Sequence, residues 1–376
     1  MKIKQLLKKV MLLIPAAAML LGAVSCGKAE NISTAAPPDA GASAETRVVT
    51  DGLGREVEVP VKIERIVTLG NATRILVYLG LEDRMVSTAN GDVSENVLQA
   101  YGIYHQERWK TLPVVASGGY GEVNTEAILE ADPDIILCTY EEDIVNGIEE
   151  QLGRKVVAAP QGKLFQPDFE EAVRIFGEAC GVPERAEEVL AYLHVCLDDL
   201  AARTGGIPEA ERPSVLAAAA TSRTAHGIST VYANSAILAA LGVKDVTKGL
   251  ANGPKGLEVD REQILEWDPD FIILDAGNVY LVRAEYEEDP EYFSRLTAVN
   301  EGRLYQWPNS SANYTNVEIP LASAYYTGCL LYPEAFADVD PAAKAEEIYE
   351  FFLGRGDYRA LLEENGLGFA EVRLNG

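Results

Sequence analysis

The chain alternates short, continuously apolar runs with segments in which apolar residues recur every three or four positions. "RIVTLG", "DIILCTY", "KVVAAP" and "PSVLAAAATS" belong to the first kind, and each predicts a strand buried on both faces. "EDRMVSTAN", "LPVVASGG" and "GRLYQWP" predict three more. "NATRILVYLGL", with Asn71 as its N-cap, and "NSAILAALGV", ending at Gly242, predict helices. "RVVTDGLGREVEVP" places two alternating runs around a glycine-rich turn, which predicts a β-hairpin. Buried strands that alternate with amphipathic helices imply an α/β fold, with parallel-rich sheets flanked by helices.

One phrase occurs twice. "EVNTEAILEADPDIIL" at 122–137 returns as "EVDREQILEWDPDFII" at 258–273, with ten of sixteen positions identical. Each copy predicts a short helix, capped at Asn124 in the first, a stop at Asp-Pro, and a buried strand. The chain therefore divides into two similar α/β lobes, residues 47–167 and 206–376, each expected to have its own core. Between them, residues 168–205 predict linking helices. From Pro183 to Arg203 there is no internal Gly or Pro, and Ala186, Val189, Leu190, Leu193, Leu197 and Leu200 fall on one face. Such a helix is about 30 Å long, enough to run between lobes. A single stiff connection permits rocking and resists wide opening.

The first 46 residues have a different character. "MKIKQLLKKV" is basic, "MLLIPAAAMLLGAV" is an apolar run short for a permanent span, and "GAVSCGK" sets small residues before Cys26. This predicts a signal peptide over 1–25, and the pattern resembles a bacterial lipobox, with Ala23 where Leu is usual. Cys26 is then the lipidated residue, and 26–46, small and polar, a flexible tether. Removing the four Lys of the leader takes the net charge from −26 to −30. So acidic a surface repels phosphates and argues against a nucleic-acid partner. Cys138, Cys180, Cys196 and Cys329 lie in apolar patterns without C-x-x-C spacing, which suits buried thiols.

In the order and spacing of these features, residues 47–376 resemble the helical-backbone class of substrate-binding proteins of bacterial ABC importers. The likeness rests on "DGLGREVEVP", "RIVTLG", the doubled "E-x-I-L-x-x-D-P-D-x-I-I" phrase, the linking helix and "LYPEAF". It implies a monomeric receptor at the outer face of the cytoplasmic membrane, or in the periplasm of a cell with two membranes. Such a receptor has no cofactor of its own. In a cleft between its two lobes it takes up a metal chelate, an iron–siderophore-type complex above all, with cobalamin or haem as alternatives and molybdate less favoured. Its partners are an ABC permease with its ATPase. By similarity to the vitamin-B12-binding member, Glu126 and Glu262 are the carboxylates that dock on the permease. Both fall in a first helical turn, where the dipole favours an anion.

Ligands of α/β lobes lie beyond the carboxyl ends of the strands. The loops there offer Asn71, Thr73, Asn90, Tyr120 and Tyr140 in the first lobe, and Arg223, His226, Lys255, Tyr280, Trp307 and Tyr314 in the second. The aromatic residues suit a flat chelate, and Arg223 and Lys255 suit carboxylates. His226 is a haem-ligand candidate, weighed against an ordinary loop histidine. His105 and His194 stand elsewhere, and without an H-x-x-x-H spacing no protein-only metal site is expected. Phosphate-loop and G-x-S-x-G patterns are missing, so an enzyme is not expected. The rival of another class is an extracellular enzyme or a metal-cluster scaffold of paired lobes, which would need Cys or His facing the cleft.

Overall fold

In the computed structural model, which describes residues 45–117, 122–221, 227–251, 256–309 and 316–375, the continuous apolar runs are central strands. Strands β3 (Ile66–Leu69), β6 (Ile135–Cys138) and β7 (Val157–Ala158) form a parallel sheet in the order β3-β6-β7. A parallel bridge from Ile66 to Met85 leads on to the β4 (Thr88–Ala89) and β5 (Val114–Ala116) pair. The hairpin forms as read, β1 (Thr46–Thr50) antiparallel to β2 (Glu56–Pro60). In the second half, β8 (Ser214–Ala218), β9 (Thr230–Val231), β10 (Lys244–Asp245), β11 (Leu257–Glu258), β12 (Phe271–Asp275), β13 (Leu304–Trp307) and β14 (Ala370–Glu371) make one sheet. Its order is β11-β9-β8-β12-β13-β14, with β10 beside β8. The β8, β12 and β13 centre is parallel, and β9, β11 and β14 join antiparallel.

Side-chain alternation explains why these runs are apolar throughout. Ile66, Ile135 and Leu137 point into one core, while Val67, Leu69, Ile136 and Cys138 point into another. In the second sheet Val215, Ala217 and Ile273 face the same large core, and Leu216, Ala218, Ile272 and Leu274 face a third. Each sheet is thus buried on both sides by helices, as parallel sheets require.

The helices used below are α1 (Ala72–Tyr78), α2 (Thr125–Glu130), α3 (Glu142–Leu152), α4 (Pro167–Cys180), α5 (Pro183–Thr204), α6 (Ala236–Ala240), α7 (Arg261–Trp267), α8 (Val279–Glu288), α9 (Glu318–Leu331), α10 (Pro341–Leu353) and α11 (Tyr358–Glu364). The predicted linking helix is α5, with Ala186, Val189, Leu190, Leu193 and Leu200 buried. It does not bridge two separate cores. The largest core joins Ile66, Tyr78 and Phe176 to Val215, Tyr325 and Phe352. The reason lies in the C-terminal helices, which return to the N-terminal half. Tyr358 Oη donates to the Val97 carbonyl at 2.8 Å, and Arg185 on α5 ties the carbonyls of Tyr78 and Phe351 together at 3.0 Å each.

The repeated phrase forms α2–β6 and α7–β12. Asp132 and Asp268, at φ 42° and 35°, take the left-handed conformation that ends each helix. Asp tolerates it better than most residues. The last Asp of each D-P-D then clamps the neighbouring parallel strand. Asp134 Oδ2 accepts from the Glu64 and Arg65 amides at 2.7 and 2.9 Å, and Asp270 Oδ2 from the Ser214 amide and hydroxyl at 2.7 and 2.8 Å. Each copy of the motif thus supplies one clamp between neighbouring strands of its sheet.

Candidate functional site

A pocket of about 190 Å³ is lined by Leu164, from the segment after β7, and by Tyr232, Asn234, Ser235, Ile237 and Trp307 of the C-terminal half. It therefore lies where the two halves meet. The backbone around it is unusual. Of five described non-glycine residues with positive φ, two form the repeated turns, and the other three are Phe165, Ala219 and Asn234 at 57°, 53° and 52°. Phe165 follows Leu164, Asn234 lines the pocket, and Ala219 sits at the end of β8. Left-handed backbone at such residues costs energy and persists only where the surroundings over-determine it.

Those surroundings are polar. Asp275, fully buried at the end of β12, accepts from Thr221 Oγ1 at 2.6 Å, from Tyr232 Oη at 2.7 Å and from the Asn309 side-chain amide. Asn278 donates to the Ala219 carbonyl at 2.8 Å and to Thr221 Oγ1 at 3.0 Å. Asn234 donates to the Leu250 carbonyl and accepts from the Gly249 amide, both at 3.0 Å.

In the N-terminal half, α1 organises a second buried polar cluster. Thr73 Oγ1 donates to Asp92 Oδ2 at 2.8 Å, and Tyr101 Oη to Asp92 Oδ1 at 2.7 Å. Burial pushes the Asp92 carboxyl above its ordinary pKa despite these donors. Arg74, 2% exposed, donates to the Asn71 side-chain oxygen and, from Nε, to Asn316 Oδ1 at 3.1 Å, with its guanidinium 4.8 Å from the Tyr101 ring. One turn on, Tyr78 Oη donates to Glu318 Oε2 at 2.5 Å and accepts from the Val317 amide at 3.2 Å. These contacts join α1 to the start of α9 across the two halves. Burial raises the Glu318 carboxyl, and its Oε1 has no partner among the described residues.

Against these positions the residues singled out in the sequence divide. Trp307 lines the pocket with 3% exposure. Asn71 is buried and precedes α1 as expected, but makes no side-chain cap, because its amide is drawn to the Gln161 carbonyl at 2.8 Å and its oxygen to Arg74. Thr73 is buried on Asp92. Asn90 is exposed at the end of β4. Tyr140 is not displayed on a loop surface: it is 5% exposed, packed in the core beside Gly70. Tyr280, on α8, is 61% exposed. Cys26, Tyr120, Arg223, His226, Lys255 and Tyr314 lie outside the described residues. Tyr232 and Asp275 were missed. Only the aromatic in "TVYANS" and the polar ending of "IILDAGN" hint at them.

Glu126 and Glu262 are both exposed in first turns, of α2 and α7. Asn124 caps α2 through the Ala127 amide at 3.0 Å, as read. Glu262 stands 3.7 Å from Arg295. His194 pairs with Glu170 at 2.8 Å, and His105 stacks on Trp109 at 5.2 Å between ring centres. The four described cysteines are free, three of them buried, and burial pushes Cys138 and Cys180 up to about 12. Among the described residues no group of three or more His, Cys, Asp or Glu is placed to hold a metal.

A family model for periplasmic binding proteins matches residues 66–311. The chain belongs to the periplasmic binding protein family. It is a solute-binding protein of an ABC importer, and the family's members carry a transported solute rather than performing catalysis. A periplasmic solute binding protein from Veillonella parvula is 21% identical, covering 82% of this chain and 93% of its own, with a TM-score of 0.66. The molybdate binding protein MolA of Haemophilus influenzae, bound to molybdate, is 19% identical over 82% and 98%, with a TM-score of 0.61. CeuE of Helicobacter pylori, as a nickel–histidine complex, is 18% identical over 85% and 99%, with a TM-score of 0.59. At these identities the likeness is one of fold. No curated protein matches the sequence.

Proposed function

We propose that this binding protein is anchored by a lipid on Cys26 and captures a metal chelate, an iron–siderophore-type complex, between its two halves for delivery to the permease. The observation that carries this reading is the pocket at the junction of the halves, lined by Trp307 and Tyr232 from one and Leu164 from the other. Aromatic side chains with a few placed amides and hydroxyls suit a ligand that is largely flat and apolar with polar edges. Proteins of the same fold bind metal-containing solutes, molybdate in MolA and nickel–histidine in CeuE. At about 190 Å³ the pocket is below the several hundred Å³ that enclose a drug-sized ligand, so it suits one arm of a larger chelate.

The test is a melting-temperature screen with ferric siderophores, haem, cobinamide and molybdate. A ligand present at about 100 times its Kd stabilises by about 2.7 kcal/mol, an upward shift easily read. A shift with a ferric complex supports the reading. A shift with haem, cobinamide or molybdate alone replaces the ligand, and silence across the panel removes the chelate reading. For the anchor, Cys26→Ser should move the protein from the membrane to the soluble fraction; retention on membranes would refute lipidation.

A further inference from the structure

The side chain that ties the pocket wall together does not line the pocket. Asp275 is fully buried, and its donors come from segments that follow three different strands: Thr221 after β8, Tyr232 after β9 and Asn309 after β13. They converge on one oxygen, Oδ2, while Oδ1 accepts from the Gly277 amide at 2.9 Å. The donors also bond one another. Tyr232 Oη accepts from the Thr221 amide at 3.1 Å and from Asn309 Nδ2 at 3.2 Å. Tyr232 lines the pocket, and Trp307 lies two residues ahead of Asn309. The Tyr232 ring is thus tied directly to that carboxylate, and Trp307 stands beside it as the partner of Asp275 in the β12–β13 ladder.

We propose that Asp275 is the positioning residue of the solute site, a claim that rests on reading this pocket as the solute's. Its carboxylate draws three loops into one wall and fixes the Tyr232 hydroxyl inward, so that the residue meets the solute with its ring. A charged acceptor serves this better than a neutral one, because hydrogen bonds to ionised groups are shorter and stronger. The left-handed Ala219, held by Asn278 on one side of Thr221, shows what the arrangement imposes on the backbone.

Asp275→Asn keeps the size and turns an acceptor into a donor that faces donors. The probes are a ferric tris-catecholate, a ferric trihydroxamate and haem, followed by quenching of tryptophan fluorescence. The variant should bind the wild type's preferred probe about tenfold more weakly or worse, the scale of one charge-assisted hydrogen bond. Exchange of the Thr221 amide should quicken, while Ile272 to Leu274 keep their protection. Tyr232→Phe removes one donor, should weaken binding in the same direction, and decides the matter where Asp275→Asn fails to fold. A lowered melting temperature with unchanged affinity would show a role in the fold alone and overturn the proposal. Where no probe binds the wild type, the solute reading falls on its own, and unchanged exchange at Thr221 still overturns the role given to Asp275.

Discussion

Glu318 shows how much one buried side chain can reveal. It is fully buried, one oxygen takes the Tyr78 hydroxyl, and burial raises its pKa above the ordinary 4.5 of a glutamate. The folded protein then keeps a proton that the unfolded chain has released. Its contribution to stability is complete below pH 4.5 and is lost as pH rises through the folded-state value. Glu318→Gln copies the protonated form and still accepts from Tyr78. The variant should melt with the wild type below pH 4.5 and become the more stable of the two as pH rises through the folded-state value. Melting curves across this range decide it, and parallel curves would place the proton elsewhere. Such residues were hidden in the sequence. "NVEIP" reads as an ordinary helix start, and Asp275 as an ordinary turn residue. The partners that give them meaning lie 240 residues away for Glu318, and 54, 43 and 34 away for Asp275. No local pattern carries that information.

Elements were more legible, in proportion to their length and burial. The strands at Ile66, Ile135, Ser214 and Phe271 appear where continuous apolar runs predicted them, because burial on both faces leaves no polar position. Two-residue strands such as Thr230–Val231 and Leu257–Glu258 escaped, since they exist only through pairing with distant segments. Asn71 was read as a cap on local grounds, and tertiary bonds to Gln161 and Arg74 took its side chain. Packing between elements gives a paired prediction on glycine. Gly177, on α4, would carry a Cβ only 2.4 Å from that of Ala186 on α5. Gly177→Ala should therefore cost about 1–3 kcal/mol through overpacking. Gly147, inside α3, has nothing within 4 Å of a new Cβ, so Gly147→Ala should stabilise by about 0.5–1 kcal/mol. Denaturant midpoints of the two variants should move in opposite directions.

At the scale of the molecule, the doubled phrase has two consequences. Its aspartates clamp the sheets, and its first turns carry Glu126 and Glu262 at equivalent, exposed points of the two halves. We propose that these carboxylates are the contacts with the permease. Reversing both, Glu126→Arg with Glu262→Arg, should abolish uptake and leave solute affinity unchanged; a fall in affinity would assign them to the fold or the pocket instead. The family and the α/β layers were readable in the order of the motifs. The shared core was not, because it depends on how the C-terminal helices come home. That return bears on how the protein is made. Tyr358 closes on Val97 across 261 residues, and Phe352 and Tyr349 complete the core of the half that is synthesised first. The N-terminal half cannot finish burying its apolar surface until the last helices have been synthesised. A chain read as bound for export thus completes its N-terminal core only with its last helices.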